Sequence, residues 1–369
     1  MKEENKHIGE IKLKGFKSIE SLELKLQPIN ILIGANGSGK SNFISFFSLL
    51  RNICQGRLVS YVKLQKGADS FFHFGSKTTK EISINIQVNI NAYHAIFMPS
   101  QNDDDLVITH EYCTIDSNEH RTKYDIKGTN GESGLFSGEA KNKYVRDYTN
   151  KYLRECRVNH FHDTSSSAGF KKSQFVSDSD QLAADAYNIA PFLYRLMNDY
   201  PDSYQNIVQS IKTVAPFFHD FSLVPRGEAG DESIILRWSH TRDEQTFSAN
   251  QLSDGTLRFI CLSTLFLQPE VLRPKTIILD EPELGLHPAA LEVLSDLVKV
   301  TSKNNQIICS TQSVAFANHF QPEDFIVVDQ TSGKSNFKRL DAEGLEDWLK
   351  EYQMGEIWDK NLIGGVPEW

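Results

Sequence analysis

"PINILIGANGSGKSNFISFF", residues 28 to 47, decides how the rest of the chain is read. Ile29 to Ile33 is apolar except for Asn30 and has the length of a buried strand. It runs into GANGSGKS, residues 34 to 41, which satisfies G-x-x-x-x-G-K-[ST]. Beyond it, Phe43, Phe46, Phe47 and Leu50 recur at helical spacing, so a helix starts near Lys40. A strand before and a helix after give the motif a mechanism. The glycines let backbone N–H groups close around an anion, and the helix N-terminus adds its dipole.

On this reading Gly34, Asn36, Gly37, Ser38, Gly39, Lys40, Ser41 and Asn42 form the phosphate-binding stretch. Lys40 reaches the β- and γ-phosphates, and Ser41 holds Mg²⁺. "TIILDEPE" supplies the second half: an apolar strand ends in Asp280 and Glu281, at the carboxyl edge of a sheet where ligands bind. Asp280 would hold the metal shell, and Glu281 would polarise an attacking water as the catalytic base.

The ends of the chain read as α/β. "EIKLKGFKSIESLELKL" is an antiparallel hairpin turning between Gly15 and Ser21. "EISINIQVNIN" and "LVITHEYCTI" alternate as half-exposed strands. "DFSLVP" and "SIILRWS" are further strands, followed by a helix over 256–268. A strand at 276–280, a helix over 288–302, strands at 306–310 and 325–329 and a terminal helix imply a parallel sheet with helices on its faces. Residues 125–215 are richer in helix-period patterns and read as an inserted helical lobe between head segments 1–124 and 216–369.

"LSDGTLRF", residues 252 to 259, has Ser253 as an N-cap, and Gly255 permits close backbone approach, so a helix N-terminus is offered to an anion. Together, "GFKSI", "GANGSGKSN", "HFHDTS", "LSDGTLRF", "ILDEPELGLHP", "STQS" and "EYQMGEIWDKNLIGG" resemble the ABC/SMC/RecF branch of P-loop ATPases. The likeness is specifically to stand-alone bacterial AAA ATPases related to RecF and to the ATPase half of OLD-family nucleases. It implies an ABC-type head, with a parallel-sheet P-loop core and an antiparallel β subdomain, that hydrolyses ATP with Mg²⁺. Two copies would pair head to tail, with Ser253 and Gly255 of one completing the γ-phosphate site of the other. Higher oligomers are a further option.

By the same resemblance, Gly285-Leu286-His287-Pro288 lies at the dimer seam, and Gln312 stands where many ABC ATPases carry a switch histidine. Gln312 can orient a water but not accept its proton, which makes it a γ-phosphate sensor and leaves Glu281 as the base. No glutamine stands out as the family's Mg²⁺ contact between the lobes: Gln87 lies on the polar, solvent-facing side of an alternating strand, and Glu111 is a weaker positional candidate. Lys17 either approaches the nucleotide's base or α-phosphate or is a surface residue in a turn.

Two clusters carry weaker signals. His160, His162 and Asp163 in "NHFHD" admit a metal site, with a hydrogen-bonded lobe junction as the favoured reading. Residues 141 to 157 interleave six basic residues with three tyrosines, which suits either a nucleic-acid backbone or a solvated helix.

The bulk numbers narrow the function. The 369 residues are 40% hydrophobic and 24% charged, an ordinary globular composition. No apolar run approaches the roughly 20 residues of a membrane-spanning helix. The charged start lacks a secretory pattern, so a cytoplasmic protein without a membrane partner is expected. Cys54, Cys113, Cys156, Cys261 and Cys309 are scattered singly and read as packing residues. A net charge of −9 disfavours constitutive nucleic-acid binding.

Two functions follow from the resemblance. One is an ATP-dependent switch controlling a separately encoded effector, a nuclease or toxin, in phage defence or genome maintenance. The other is a RecF-like clamp that closes on DNA in repair. Long heptad arms of the SMC kind are not present in the sequence, and the roughly 40 residues after Asp329 are too few for a nuclease domain.

Overall fold

The computed structural model describes residues 7–100, 104–117, 120–228 and 230–365. Most of the charged start lies outside them. Two sheets organise the chain. The six-stranded sheet runs, in spatial order, Lys334–Arg339, Phe325–Thr331, Ile29–Ile33, Gln306–Ser310, Thr276–Asp280 and Cys156–Asn159. Every neighbouring pair is parallel except the first, an antiparallel hairpin at the edge. The second sheet is antiparallel, with Ile19–Lys25, Ile8–Phe16, Ile82–Val88, Asn91–Pro99, Leu106–Ser117 and His120–Lys127 in that order, then a short edge strand at Glu139–Ala140.

Side chains alternate across a strand, and the parallel sheet thereby divides two cores. Leu32, Ile278, Ile308, Ile326 and Val328 face the helix Lys40–Cys54 and the inner side of the antiparallel sheet. Phe43, Phe46 and Phe47 of that helix are fully buried there, each stabilising by roughly 1.5–3 kcal/mol. Ile31, Ile33, Ile277, Leu279 and Ile307 face the helices Ile189–Asp199, Pro201–Val214, Asp254–Leu267 and Pro288–Thr301.

Several expectations change in detail. The first hairpin turns on Lys17 and Ser18 alone, because its strands pair from Phe16 to Ile19, and Lys17 takes a left-handed φ of 49°. "SIILRWS" is broken: Ser233–Ile234 pairs with Gln174–Phe175, whereas Arg237–His240 joins Phe218–Phe221 and Asp243–Ser248 in a three-stranded sheet. Residues 125–215 carry the expected helices but do not stand apart from the head. Cys156–Asn159 inside this stretch is the edge strand of the parallel sheet. Val145 and Leu153 of the helix Lys143–Arg154 enter one core, while Phe192, Ile207 and Ile211 enter the other. Amphipathic helices must cover their apolar faces, and here the sheet does so.

All five cysteines are free and buried. Among the described residues, no helix is long and apolar enough to cross a membrane.

Candidate nucleotide site

The central strand Ile29–Ile33 is buried at every position and delivers residues 34 to 39 to the carboxyl edge of the sheet. Gly34, Gly37 and Gly39 have φ of 154°, 79° and 115°. At Gly39 a Cβ would overlap the side chain of Ser335, whose hydroxyl donates 2.6 Å to Ser38 O and is hydrogen-bonded to the Ser18 hydroxyl at 2.7 Å. Asn42 donates to the same Ser18 hydroxyl at 2.7 Å. Thus Asn42 braces the loop from behind. Asn36, Gly37 and Ser41 are exposed on its open side.

Two features of this loop fit a phosphate. The Ser38 hydroxyl is buried with no hydrogen-bond partner. The buried Lys40 ammonium is held by the carbonyls of Gly34 at 2.6 Å and Ala35 at 2.9 Å. Burial pushes its pKa down, against the opposing charges of Glu281, Asp280 and Glu283. A desolvated cation beside an unused hydroxyl and a helix N-terminus is a donor set for an anion.

Two further strand ends meet this loop. Asp280 accepts a short hydrogen bond from Ser310 Oγ on the adjacent strand. The Glu281 N–H donates at 3.1 Å to both the carbonyl and the hydroxyl of Ser310. Glu281 has a φ of 44°, a left-handed conformation rare for a non-glycine residue and common where function constrains the backbone. Gln312 Nε2 donates to Glu281 Oε1, so the expected base and sensor are in contact.

Beneath them lies Glu283, to which the sequence reading assigned no role. It is buried, and Oε1 accepts from Thr311 Oγ1 at 2.6 Å and from Gln312 N at 3.0 Å, while Oε2 has no partner. Burial raises its pKa first of all. The only sequence signal was an acid inside the short segment Pro282-Glu283-Leu284 after an apolar strand.

The Lys17 ammonium donates 2.9 Å to Ser45 Oγ, one helical turn beyond Ser41, and burial lowers its pKa. It therefore lies half-buried against the P-loop helix. Gln87 turns to Asn89 O at 3.3 Å. Glu111 is buried and engaged by Tyr93, Ser133 and Gly134 inside the antiparallel subdomain. Both oxygens being committed there, Glu111 is not presented to the P-loop.

Ser253 caps its helix as expected, accepting from Thr256 N at 3.1 Å, and it is exposed. At Gly255 the close backbone approach comes from within the same chain: a Cβ there would collide with the carbonyl oxygen of Gly285. Its smallness is already used internally. Arg258, another residue without a role in the sequence reading, ties this helix down by donating 2.6 Å to Leu284 O and 3.0 Å to His162 O. That contact places "HFHD" beside the Asp280–Glu281 loop. Among the described residues no group of three His, Cys, Asp or Glu side chains is arranged to hold a metal ion, and His160, His162 and Asp163 form none.

The chain's tail reaches the loop from a third direction. Gly365 donates 2.7 Å to Asp329 Oδ1, and a Cβ on Gly365 would lie 3.3 Å from Gly34 Cα.

A glycine-rich anion loop on the central strand of a parallel sheet, acids and a glutamine on the neighbouring strand ends, and an antiparallel subdomain packed over the loop's helix define an ABC/SMC-type P-loop ATPase. The chain belongs to the family described as "AAA domain, putative AbiEii toxin, Type IV TA system", whose model matches residues 29–318.

Phosphate import ATP-binding protein PstB 2 of Shouchella clausii (strain KSM-K16) is 26% identical over 188 residues, covering 49% of this chain and 63% of that protein. The chain thus spans less than two thirds of that relative's length. An Smc head solved with the C-winged helix domain of ScpA superimposes with a TM-score of 0.56 at 16% identity, covering 91% of this chain and 99% of the other. The Pyrococcus furiosus Smc head with an extended coiled coil, bound to the C-terminal domain of ScpA, gives 0.55 at 14% identity over 94% and 99%. At these identities the likeness establishes the fold.

Proposed function

We propose that this protein is an ATP-hydrolysing molecular switch that pairs head to tail with a second copy around ATP and controls a separately encoded effector. The observation that carries the reading is the Glu281–Gln312 contact beside a P-loop whose lysine and serine are poised for phosphate. Lys40 and the loop N–H groups would bind the phosphates, and Ser41 and Asp280 would hold Mg²⁺, whose charge offsets that of the phosphates. Glu281 would take the proton of the attacking water, and Gln312 would orient that water. The exposed Ser253 helix N-terminus would complete the site of the other copy, with Gly255 shaping that turn.

An effector is supported by the family description, which names a toxin system, and by the Smc heads, which were solved with a bound partner domain. A nuclease or toxin acting in phage defence or genome maintenance would be such a partner, in the cytoplasm. The second reading is a DNA clamp. It is favoured by the helix Lys143–Arg154, where Lys143, Lys151 and Arg154 are exposed and Tyr144 is 89% exposed.

Both readings are tested by the solution mass of Glu281→Gln protein with and without Mg-ATP, with a short DNA duplex in a parallel run. Doubling of the mass without DNA supports the switch, and DNA co-eluting only with ATP supports the clamp. An unchanged mass in both runs refutes ATP-driven pairing.

A further inference from the structure

Remote from the P-loop, the described residues form a polar cleft of about 430 Å³ lined by Arg51, Lys151, Arg154 and Arg157, with Asn150 and Gln181 among its neutral donors and acceptors. Arg51 lies in the last turn of the helix that begins at Lys40, about 16 Å along it. Arg157 pairs with Ile277, three residues before Asp280 and so about 10 Å from the strand's carboxyl end. The cleft and the nucleotide loop are therefore separate places.

The charge in this cleft is unbalanced. Among the described residues none of the four cations forms an ion pair. Asp147, on the rim, is already paired with Arg146 at 2.7 Å. That leaves Glu155 as the one uncommitted carboxylate of the lining. Arg157 is buried, and its guanidinium donates to the neutral Gln181 Oε1. Burial lowers the pKa of Arg51, and the charges of Arg157, Arg154 and Arg57 lower it further against the opposing charge of Glu155, which acts on Arg157 as well. Three guanidinium groups gathered from a helix end, a second helix and an edge strand repel one another, and the single carboxylate of Glu155 leaves that positive charge in excess unless a further anion sits between them.

We infer that this cleft binds a phosphate-bearing ligand, held by guanidinium forks from Arg51, Arg154 and Arg157 with Lys151 at the mouth. Planar guanidinium forks match phosphate oxygens two at a time, and a carboxylate metabolite would satisfy fewer of the donors gathered here. The phosphate belongs either to a small phosphorylated molecule, for which the volume suffices, or to the end of a nucleic-acid strand.

The test uses full-length protein with its P-loop saturated by a non-hydrolysable ATP analogue and Mg²⁺. Inorganic pyrophosphate is titrated by calorimetry, and a 5′-phosphorylated oligonucleotide is compared with its 5′-hydroxyl twin by fluorescence anisotropy. Binding of pyrophosphate alone identifies a small ligand, whereas a preference of tenfold or more for the 5′-phosphate identifies a strand end. In either case Arg51→Gln and the exposed substitutions Arg154→Gln and Lys151→Gln should each weaken binding at least fivefold. The melting temperature and the affinity for the analogue should stay unchanged. Binding should also survive in Lys40→Ala protein, which separates this site from any failure of the P-loop reading. Absence of binding by every probe, or binding indifferent to all three substitutions, overturns the inference.

Discussion

Thr311 Oγ1 donates a 2.6 Å hydrogen bond to Glu283 Oε1, joining two residues 28 apart that follow adjacent strands of the parallel sheet. Because the same oxygen receives the Gln312 N–H, the loop that presents Gln312 to Glu281 is anchored on a buried carboxyl group. Glu283→Ala should lose both bonds and leave a cavity, destabilising the head by about 2–4 kcal/mol. Glu283→Gln keeps an acceptor in place and should unfold within about 1 kcal/mol of the parent. Urea denaturation of the three proteins checks this, and equal midpoints for Ala and parent would refute the anchoring role.

Lys40→Ala should reduce nucleotide affinity at least a hundredfold, read by calorimetry. The fold should not suffer, because the ammonium is desolvated and touches only two backbone carbonyls among its hydrogen-bond partners. An unchanged or higher melting temperature is expected. A large fall would mean that Lys40 is a structural strut.

At the capped helix, two neighbouring substitutions should separate cleanly. Gly255→Ala forces a Cβ onto the Gly285 carbonyl and should cost about 1–3 kcal/mol of stability. Ser253→Ala removes a cap worth about 1 kcal/mol. If Ser253 also serves a partner's phosphate, its loss should lower kcat for ATP at least tenfold, an effect that rises with protein concentration in mixtures with parent chains. A cap alone would leave kcat untouched.

His94 offers a pH signature. Burial first, then the charges of Arg121 and Lys123 against that of Asp116, lower its pKa from 6.5 to about 4. The unfolded chain therefore takes up this proton before the folded one does. Stability from His94 is present above pH 6.5 and is lost as pH falls from about 6.5 to about 4. His94→Gln should flatten that part of the stability curve, and an imidazole NMR titration should show a midpoint near 4. A midpoint near 6.5 would contradict the burial argument.

What the sequence by itself determined is whatever a contiguous stretch encodes. The strands Thr276–Asp280 and Gln306–Ser310 and the helix beginning at Lys40 fall where apolar runs and periodicity put them, because a strand or helix is shaped by its own neighbours. Positive φ at the P-loop glycines and the Ser253 cap are local in the same sense.

Only the tertiary structure decided which distant residues share a site. Glu283 beneath Gln312, Gly255 against Gly285, Gly365 against Gly34, and Arg51 facing Arg154 and Arg157 depend on sheet order and on helices packed across it. The edge strand Cys156–Asn159 shows why. Four residues carry too little pattern to be read, and parallel pairing with a strand 120 residues later is settled by burial of both faces rather than by any local spacing.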